Sequence, residues 1–522
     1  MMFLASLLLA AVVLAPSVGY AETRSELQTA LARSADGPRT PTPLTLEESL
    51  QRALQNNLGL LARIRELEAA SFRAKAAIAP WIPVLTAGGD IIPSRNRRFS
   101  NDFQRWNILG GSVGQYNVGM AFSSPVGTTF SVGWDQRRTD FNLRWELDED
   151  DLLGAVLTDQ EFKTREANVS LSLNQSLLKG ISPVHHMNML WQAELAVDAA
   201  EIQQEKEMST VVGDVLKGYW DLGATRQNLT IAEESRELAE AQREITEARI
   251  ASGDMAPIEL LRIDETTATR SSEVLEAMRA VEEAEGRLKM VLGVAFEDEL
   301  AYAELVPTDD ANFVLPERTR EGSLQVALTR NPDLRAAKGT LDGRELQWKA
   351  DKHARLPTLN LGASLKVTGT GTDDAEAIAN LSTGGFLEAV VGLQLTAPLP
   401  DVGAINQARA AGADVEAALL RLQLAEREVL TGVQAALLSV RSFDNQVGVE
   451  TVRIDLATRT VEAAEATYAV GRNTLRDVLE AQQALKTAQQ AKVSAEVQAL
   501  KARVDLEILR GTILETLGVE LQ

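Results

Sequence analysis

Residues 45–89 of this chain lie over residues 319–363 without a gap, at a constant offset of 274. Ser49, Leu50, Gln51, Ala53, Leu54, Asn57, Leu60, Lys75 and Pro83 fall on Ser323, Leu324, Gln325, Ala327, Leu328, Asn331, Leu334, Lys349 and Pro357. A match of this length, punctuated by the same proline, means that one structural plan is used twice. Any fold for the chain must therefore divide into two equivalent halves. The likeness resumes further on at shifted offsets: Glu166–Leu173 resembles Glu388–Leu395, and Ala248–Gly253 resembles Ala466–Gly471. Leu292-Gly293 answers Leu517-Gly518 near the two ends. Each half reads helix, strand, loop, strand, helix, helix.

All sixteen prolines lie at or before Pro400, and a second proline-free run separates Pro183 from Pro257. A helix of some 65–70 residues would extend roughly 100 Å at ~1.5 Å per residue. Apolar and small residues recur at helical spacing, as in Leu238, Ala241, Ile245 and Ala248, then Leu275, Met278 and Val281. Helices of this length need neighbours throughout, so a rod or tube is the natural assembly. Each long stretch is interrupted once, at Gly253 to Leu261 and at Gly471 to Glu480. Glycine suits the left-handed position that ends a helix, Pro257 suits a first turn, and Thr474 can cap the next helix. Both motifs are read as tight turns, with Gly253 and Gly471 at the bend, giving helical hairpins over 184–292 and 401–518.

Strands carry a different period. Leu359, Leu361, Ala363, Leu365 and Val367 alternate with Asn360, Gly362, Ser364 and Lys366; Val169, Leu171 and Leu173 alternate with polar neighbours, as do Ala389 to Leu395. About ten residues of period-two alternation is what a barrel strand needs between lipid and water. Strands are expected at about 82–92, 166–178, 357–368 and 386–399. Residues 90–165 stand apart, holding 10 of the 24 aromatics. Gln115–Ser123 and Thr128–Arg138 form a hairpin pattern around Ser124-Pro125-Val126-Gly127. The favoured reading is an enlarged extracellular loop, 93–165, carrying this hairpin over 113–138; the alternative is two further barrel strands. The second half has only a short Gly/Thr loop, 368–385, at the equivalent place. The acidic run Asp148-Glu149-Asp150-Asp151 is read as a solvated loop ahead of a divalent-cation site.

Composition sets the address and excludes several classes. Residues 1–21 are almost wholly apolar to Pro16 and end in Val18-Gly19-Tyr20-Ala21, the pattern of a secretory signal, although no Lys or Arg precedes the run. An uncleaved anchor is the other reading. Residues 22–44 form a Pro-rich lead-in with no core of its own. No later apolar run reaches the ~20 residues of a spanning helix. A net charge of −22 argues against nucleic acid as partner. With no cysteine there is neither a disulfide frame nor a thiolate metal site. The three histidines, His185, His186 and His353, make no metal pair at helical spacing. Neither a nucleophile motif nor a phosphate loop is visible, so no catalytic, metal or cofactor site is assigned and the chain is read as a non-enzyme.

Together these features resemble the TolC-type outer-membrane factor family, over about residues 45 to 520. The most specific patch is Tyr468 to Gln482, which is similar to the family's Y-x-x-G-x-x-x-x-x-D-V-L-x-A turn at the periplasmic tip. The resemblance implies a membrane α+β protein. It would be a homotrimer whose chains each give four strands, from two internal repeats, to a twelve-stranded outer-membrane β-barrel. A long periplasmic α-helical coiled-coil barrel would continue it, with a belt around the middle to which the linker 295–319 belongs. It also implies the exit duct of a tripartite efflux pump or type I secretion system. Partners would be a periplasmic adaptor (membrane fusion) protein and an inner-membrane RND, ABC or MFS transporter, with outer-membrane lipid around the barrel. Closure agrees on physical grounds: four strands leave open edges in lipid, whereas three copies in cyclic symmetry leave none.

The family's tip chemistry carries over to named positions. Asp477 and Glu480, three apart, share a helix face and in a trimer would ring the narrow end with carboxylates. By the resemblance Glu259 takes the matching place on the first hairpin, and Tyr468 helps hold the tip closed. A family arginine is replaced here by Asn473, between Arg472 and Arg476. Rings of like charge raise local cation affinity and gate a pore. The alternative to a duct is a periplasmic coiled-coil scaffold or adaptor without a pore, which explains the helices but not the matched strand pairs.

Overall fold

The computed structural model describes residues 41–100, 105–145, 160–295, 298–309, 319–383 and 385–519. The signal region 1–21, most of the lead-in, and the acidic run Asp148–Asp151 lie outside the described residues. In chain order the elements begin with β1 (Pro41–Leu44), α1 (Leu46–Asn56), α2 (Leu58–Ala76), β2 (Val84–Ser100), β3 (Arg105–Ser123), β4 (Thr128–Trp145) and β5 (Gln160–Ser176). Next come α3 (Pro183–Ala251), α4 (Ile258–Val291), β6 (Glu304–Pro307), α5 (Arg320–Arg330) and α6 (Pro332–Ala354). The chain ends with β7 (Thr358–Gly371), α7 (Asp374–Thr383), β8 (Phe386–Thr396), α8 (Val402–Ala469), α9 (Leu475–Arg510) and α10 (Ile513–Thr516).

Two compact units divide the chain, and α3 and α8 contribute to both. The first runs to Arg65, then Ile202–Arg335 and Glu426 onward. Its core gathers Leu60, Val215, Leu222, Leu288, Leu292 and Leu305, with Val212, Tyr219, Val504 and Ile513 beside them. The repeated residues do the same work twice. Thr45 and Thr319 cap α1 and α5 through their side chains, and Ser49 and Ser323 are both buried. Asn57 accepts the Leu60 N–H at 3.1 Å and donates to the Val291 carbonyl at 2.9 Å. Asn331 accepts the Leu334 N–H at 3.1 Å and donates to the Leu509 carbonyl at 2.8 Å.

Those bonds correct one pairing made from sequence. Gly293, at φ +67°, lies against the backbone of Asn56 and Asn57; Gly511, at φ +68°, lies against that of Arg330 and Asn331. Gly293 therefore corresponds to Gly511, not to Gly518, whose surroundings are open. The offset of 218 is then the same as that between Gly253 and Gly471 (471 − 253 and 511 − 293). The dipeptide Leu-Gly misled because the place of Leu292 is taken by Arg510, buried with its guanidinium 2.5 Å from Glu507. A second correction concerns the lead-in. Its last residues, as β1, pair in parallel with β6, and Leu44 belongs to the core, anchored where the Tyr219 hydroxyl meets its carbonyl at 3.0 Å.

The second unit, Glu66–Glu201 and Ala336–Ala425, holds an antiparallel six-stranded sheet in the order β2-β3-β4-β5-β7-β8. Four strands per chain, with 93–165 as a loop, is thus corrected: among the described residues that stretch is largely strand within one sheet. The β3–β4 hairpin is hydrogen-bonded between β2 and β5 along its length, from Val84 opposite Ala121 to Thr128 opposite Gln175. Each of its strands satisfies its ladder bonds on both sides, which a free hairpin over the sheet could not do. Residues 368–385, read as a short loop, contain α7, which lies on β7 and β5. Gly369 and Gly371 make that approach possible, because a Cβ on either would strike the α7 backbone. No described helix is long and apolar enough to cross a membrane.

Candidate functional site

The hairpin turns of the first unit are built alike. At the end of α3 the Gly253 N–H donates to the Ile250 carbonyl at 3.0 Å and the Asp254 N–H to that of Arg249 at 2.9 Å. After α8 the Gly471 N–H donates to the Tyr468 carbonyl at 3.0 Å and the Arg472 N–H to that of Thr467 at 2.9 Å. Both glycines take positive φ, +83° and +73°, the left-handed end that releases the chain from the helix. Thr474 then starts α9 with a reciprocal box: its side chain and backbone N–H both bond the Asp477 carboxylate, at 2.7 and 2.9 Å.

The two tips pack on each other through a small apolar cluster of Ile263, Ala464, Tyr468, Leu475, Val478 and Ala481. Tyr468 is buried there. Its hydroxyl lies 4.0 Å from the Met255 sulfur, and the Arg249 guanidinium sits 4.8 Å from its ring centre. Both partners belong to the first hairpin, so Tyr468 joins the hairpins within one chain. A cation over an aromatic face adds ~0.5–1 kcal/mol at exposed sites and about 2 kcal/mol where it is desolvated.

The acidic residues singled out from sequence each have an own-chain partner. Asp477 is held below the usual carboxylate range, first by the Thr474 hydroxyl and then by the Thr474 N–H. Glu480 accepts from Arg476 at 2.6 Å, and Glu259 from Arg262 at 3.0 Å. Arg476 thus takes part in the tip, whereas Asn473 stands exposed in the turn. These are charges fixed in place by cations and caps, not free carboxylates.

Sequence reasoning missed a further cluster. Glu273 on α4 receives Lys486 of α9, and Arg270 bonds it at 3.0 Å. Both cations are nearly buried, at 6% and 9% side-chain exposure, so the ion triad ties one hairpin to the other. No local pattern announces a pair whose members lie 213 residues apart.

The other unit supplies a wall. Successive rows across the sheet put Leu85, Met120, Val132, Leu171, Leu365 and Ala389 side by side, then Ala87, Val118, Trp134, Val169, Val367 and Leu387. Opposite faces alternate, so the row between them carries Thr86, Gly119, Gly133, Ser170, Lys366 and Glu388. One face is apolar and exposed, the other small, polar or charged.

Comparison with known proteins places these features. The family described as outer membrane efflux protein matches residues 144–294 and 323–512. The pyoverdine export outer membrane protein OpmQ of Pseudomonas putida is 24% identical over 68% of this chain and 72% of its own. The outer membrane protein TolC of Escherichia coli is 22% identical over 67% of this chain and 70% of its own. In fold the chain is similar to the outer membrane protein VceC of Vibrio cholerae, with a TM-score of 0.64 at 16% identity over 89% of this chain and 96% of that one.

Proposed function

The chain belongs to the outer membrane efflux protein family, and from that premise we propose that it is the passive exit duct of a tripartite efflux pump or type I secretion system. In this reading three copies form a channel, docked on a periplasmic adaptor and fed by an inner-membrane RND, ABC or MFS transporter. The protein is an outer-membrane protein, and its relatives are channels of efflux systems. The observation that carries the reading is the sheet with one apolar and one small, polar face, the pattern of a wall between lipid and water. A pore-less scaffold has no use for such a face.

The hairpin tips are the gate of this duct. Tyr468 keeps the two tips of a chain together, while Asp477, Glu480 and Glu259 present carboxylates around the narrow end in the trimer. Because Glu480 and Glu259 are each neutralised in part by their own Arg, while the Thr474 cap keeps Asp477 ionised, the ring is tuned by Arg476 and Arg262 as much as by the acids.

Channel recordings of the purified protein in planar bilayers test both halves of this. A small cation-selective conductance blocked by divalent cations is expected, and Glu259→Gln/Glu480→Gln should relieve the block while Asp477 keeps its capping role. Tyr468→Ala should raise the conductance by loosening the tip. Divalent sensitivity that persists in the double variant takes Glu259 and Glu480 out of the gate, and persistence after Asp477→Asn is added sinks the acidic gate. Silence of folded protein even with Tyr468→Ala sinks the duct in favour of a scaffold.

A further inference from the structure

We infer that the β3–β4 hairpin is part of the membrane wall, and that the barrel closes from eighteen strands, with β2 of each chain paired to β8 of the next copy. The count of eighteen rests on the trimeric reading above; the placement of the hairpin does not. The apolar rows are the argument. Phe122 and Phe130, Met120 and Val132, Val118 and Trp134 lie directly opposite each other on the inserted strands. They continue without a break the rows formed by Leu173, Leu171 and Val169 on β5 and by Ala363, Leu365 and Val367 on β7. Phe122, Met120 and Val118 are 39–44% exposed, as are Val169, Leu171 and Leu173 at 40–42%. A hairpin standing in water would have no reason to keep apolar side chains in register with the lipid-facing rows of its neighbours. On the opposite face Gly119, Asn117, Ser131, Gly133 and Asp135 continue the small and polar lining.

A separate contact fixes the hairpin beyond those rows. Asp374, at the start of α7, accepts from Gln136 at 2.5 Å and from Arg138 Nε at 3.0 Å on β4, and lies 3.7 Å from Arg165 on β5. Gln136 is buried by this arrangement. One carboxylate thus ties the inserted strand to the original sheet.

Edges then dictate the assembly. Among the described residues β2 and β8 each have a strand on one side only. An open edge in hydrocarbon leaves backbone groups unsatisfied, so each must meet another strand. Six strands are fewer than the eight of the smallest outer-membrane barrels, so one chain cannot close on itself. With an even number of antiparallel strands, β2 and β8 run in opposite directions, and the β8 edge of one copy joins the β2 edge of the next in the same antiparallel sense. Three sixes make eighteen. Because barrel diameter grows nearly in proportion to strand number, the lumen is about half as wide again as that of a twelve-stranded barrel.

The chain has no cysteine, so single thiols report cleanly. Met120→Cys and Val132→Cys, carrying an environment-sensitive fluorophore in liposomes with nitroxide-labelled lipid, should lose most of their emission. Asn117→Cys and Ser131→Cys should instead keep theirs and react with a charged, impermeant thiol reagent. Equal exposure of all four to water removes the hairpin from the wall and overturns the proposal, leaving the duct reading intact. In a second arm Ala389→Cys is combined in turn with cysteine at Leu85, Ala87, Gly89 and Ile91, and oxidised. A ladder of linked chains ending at three is expected for at least one pair. A ladder ending at another number overturns both eighteen strands and the trimer, and trimeric protein with no link at any pair overturns the β2–β8 joint alone.

Discussion

Glu273→Gln is expected to destabilise the first unit by about 3 kcal/mol, the low end of the range for stripping one partner from a buried ion pair. The substitution leaves Lys486 and Arg270, both nearly buried, facing each other with no anion between them. The lower figure applies because Glu273 itself keeps a third of its side chain in water. Lys486→Met is the informative control. It leaves the Glu273–Arg270 pair intact and replaces the other cation by an apolar chain of similar length, so its cost should be much smaller. Thermal unfolding of the two variants in detergent, with hydrogen exchange along α4 and α9, reads the order. If Lys486→Met costs as much as Glu273→Gln, the triad acts through packing and the electrostatic account fails.

Acid should mimic the first substitution. Burial pushes the Glu273 carboxyl up, but hydrogen bonds from Lys486 and Arg270 outweigh it and hold the group below the usual carboxylate range. Since the folded chain binds this proton less tightly than the unfolded one, the stabilisation is complete above the unfolded carboxyl's value. It is lost as pH falls through the lower folded value. The Asp477 cap, held down by Thr474, has the same sign. Acid below the usual carboxylate range should therefore loosen both the joint between the hairpins and the first turn of α9, with no effect from raising pH above neutrality.

Periodicity made much of the chain legible and connectivity much less. Alternation at Leu359 to Val367 marks a strand and its two faces, because side-chain direction is local. It does not say which strand lies beside it. The β3–β4 segment shows the limit: alternation is visible at Gln115–Ser123, but nothing in one strand's pattern distinguishes a wall position from a hairpin above it. Only register, with Val118 opposite both Ala87 and Trp134, places it within the sheet. In α7, Asp374 to Thr383 comes after a Gly/Thr run that hid a helix of 10 residues. At the tip, Gly253 and Gly471 could be read as bends from residue type. The capping role of Asp477 is written in the spacing from Thr474 to Asp477, a local signal that its reading as a pore-ring acid passed over. The Glu273–Lys486 contact had no signal at all, since charges on two long helices have many equivalent partners until the helices are packed.

Gly511→Ala is expected to cost about 3 kcal/mol, and the contrast with two other glycines is what gives the figure meaning. Gly471, Gly511 and Gly518 share nearly the same left-handed backbone, at φ +73°, +68° and +67°. An L side chain there costs roughly 1–2 kcal/mol from its own backbone alone. Around Gly471 and Gly518 a Cβ meets nothing within 4 Å, so their alanine variants should show that backbone cost only. At Gly511 the new methyl would come 2.5 Å from the Arg330 carbonyl oxygen and 2.9 Å from its carbon. The carbonyl cannot yield without disturbing Asn331, whose amide bonds the Leu509 carbonyl and whose side-chain oxygen caps α6. Overpacking against such a backbone adds about 1–3 kcal/mol. Gly293→Ala should behave like Gly511→Ala, because Asn56 and Asn57 stand where Arg330 and Asn331 stand in the other half. Unfolding midpoints of the four alanine variants would then fall into two pairs, Gly293 with Gly511 and Gly471 with Gly518. If Gly511→Ala groups with Gly518→Ala, the close approach is not what holds the helix ends to the repeat, and the equivalence of Gly293 with Gly511 fails with it.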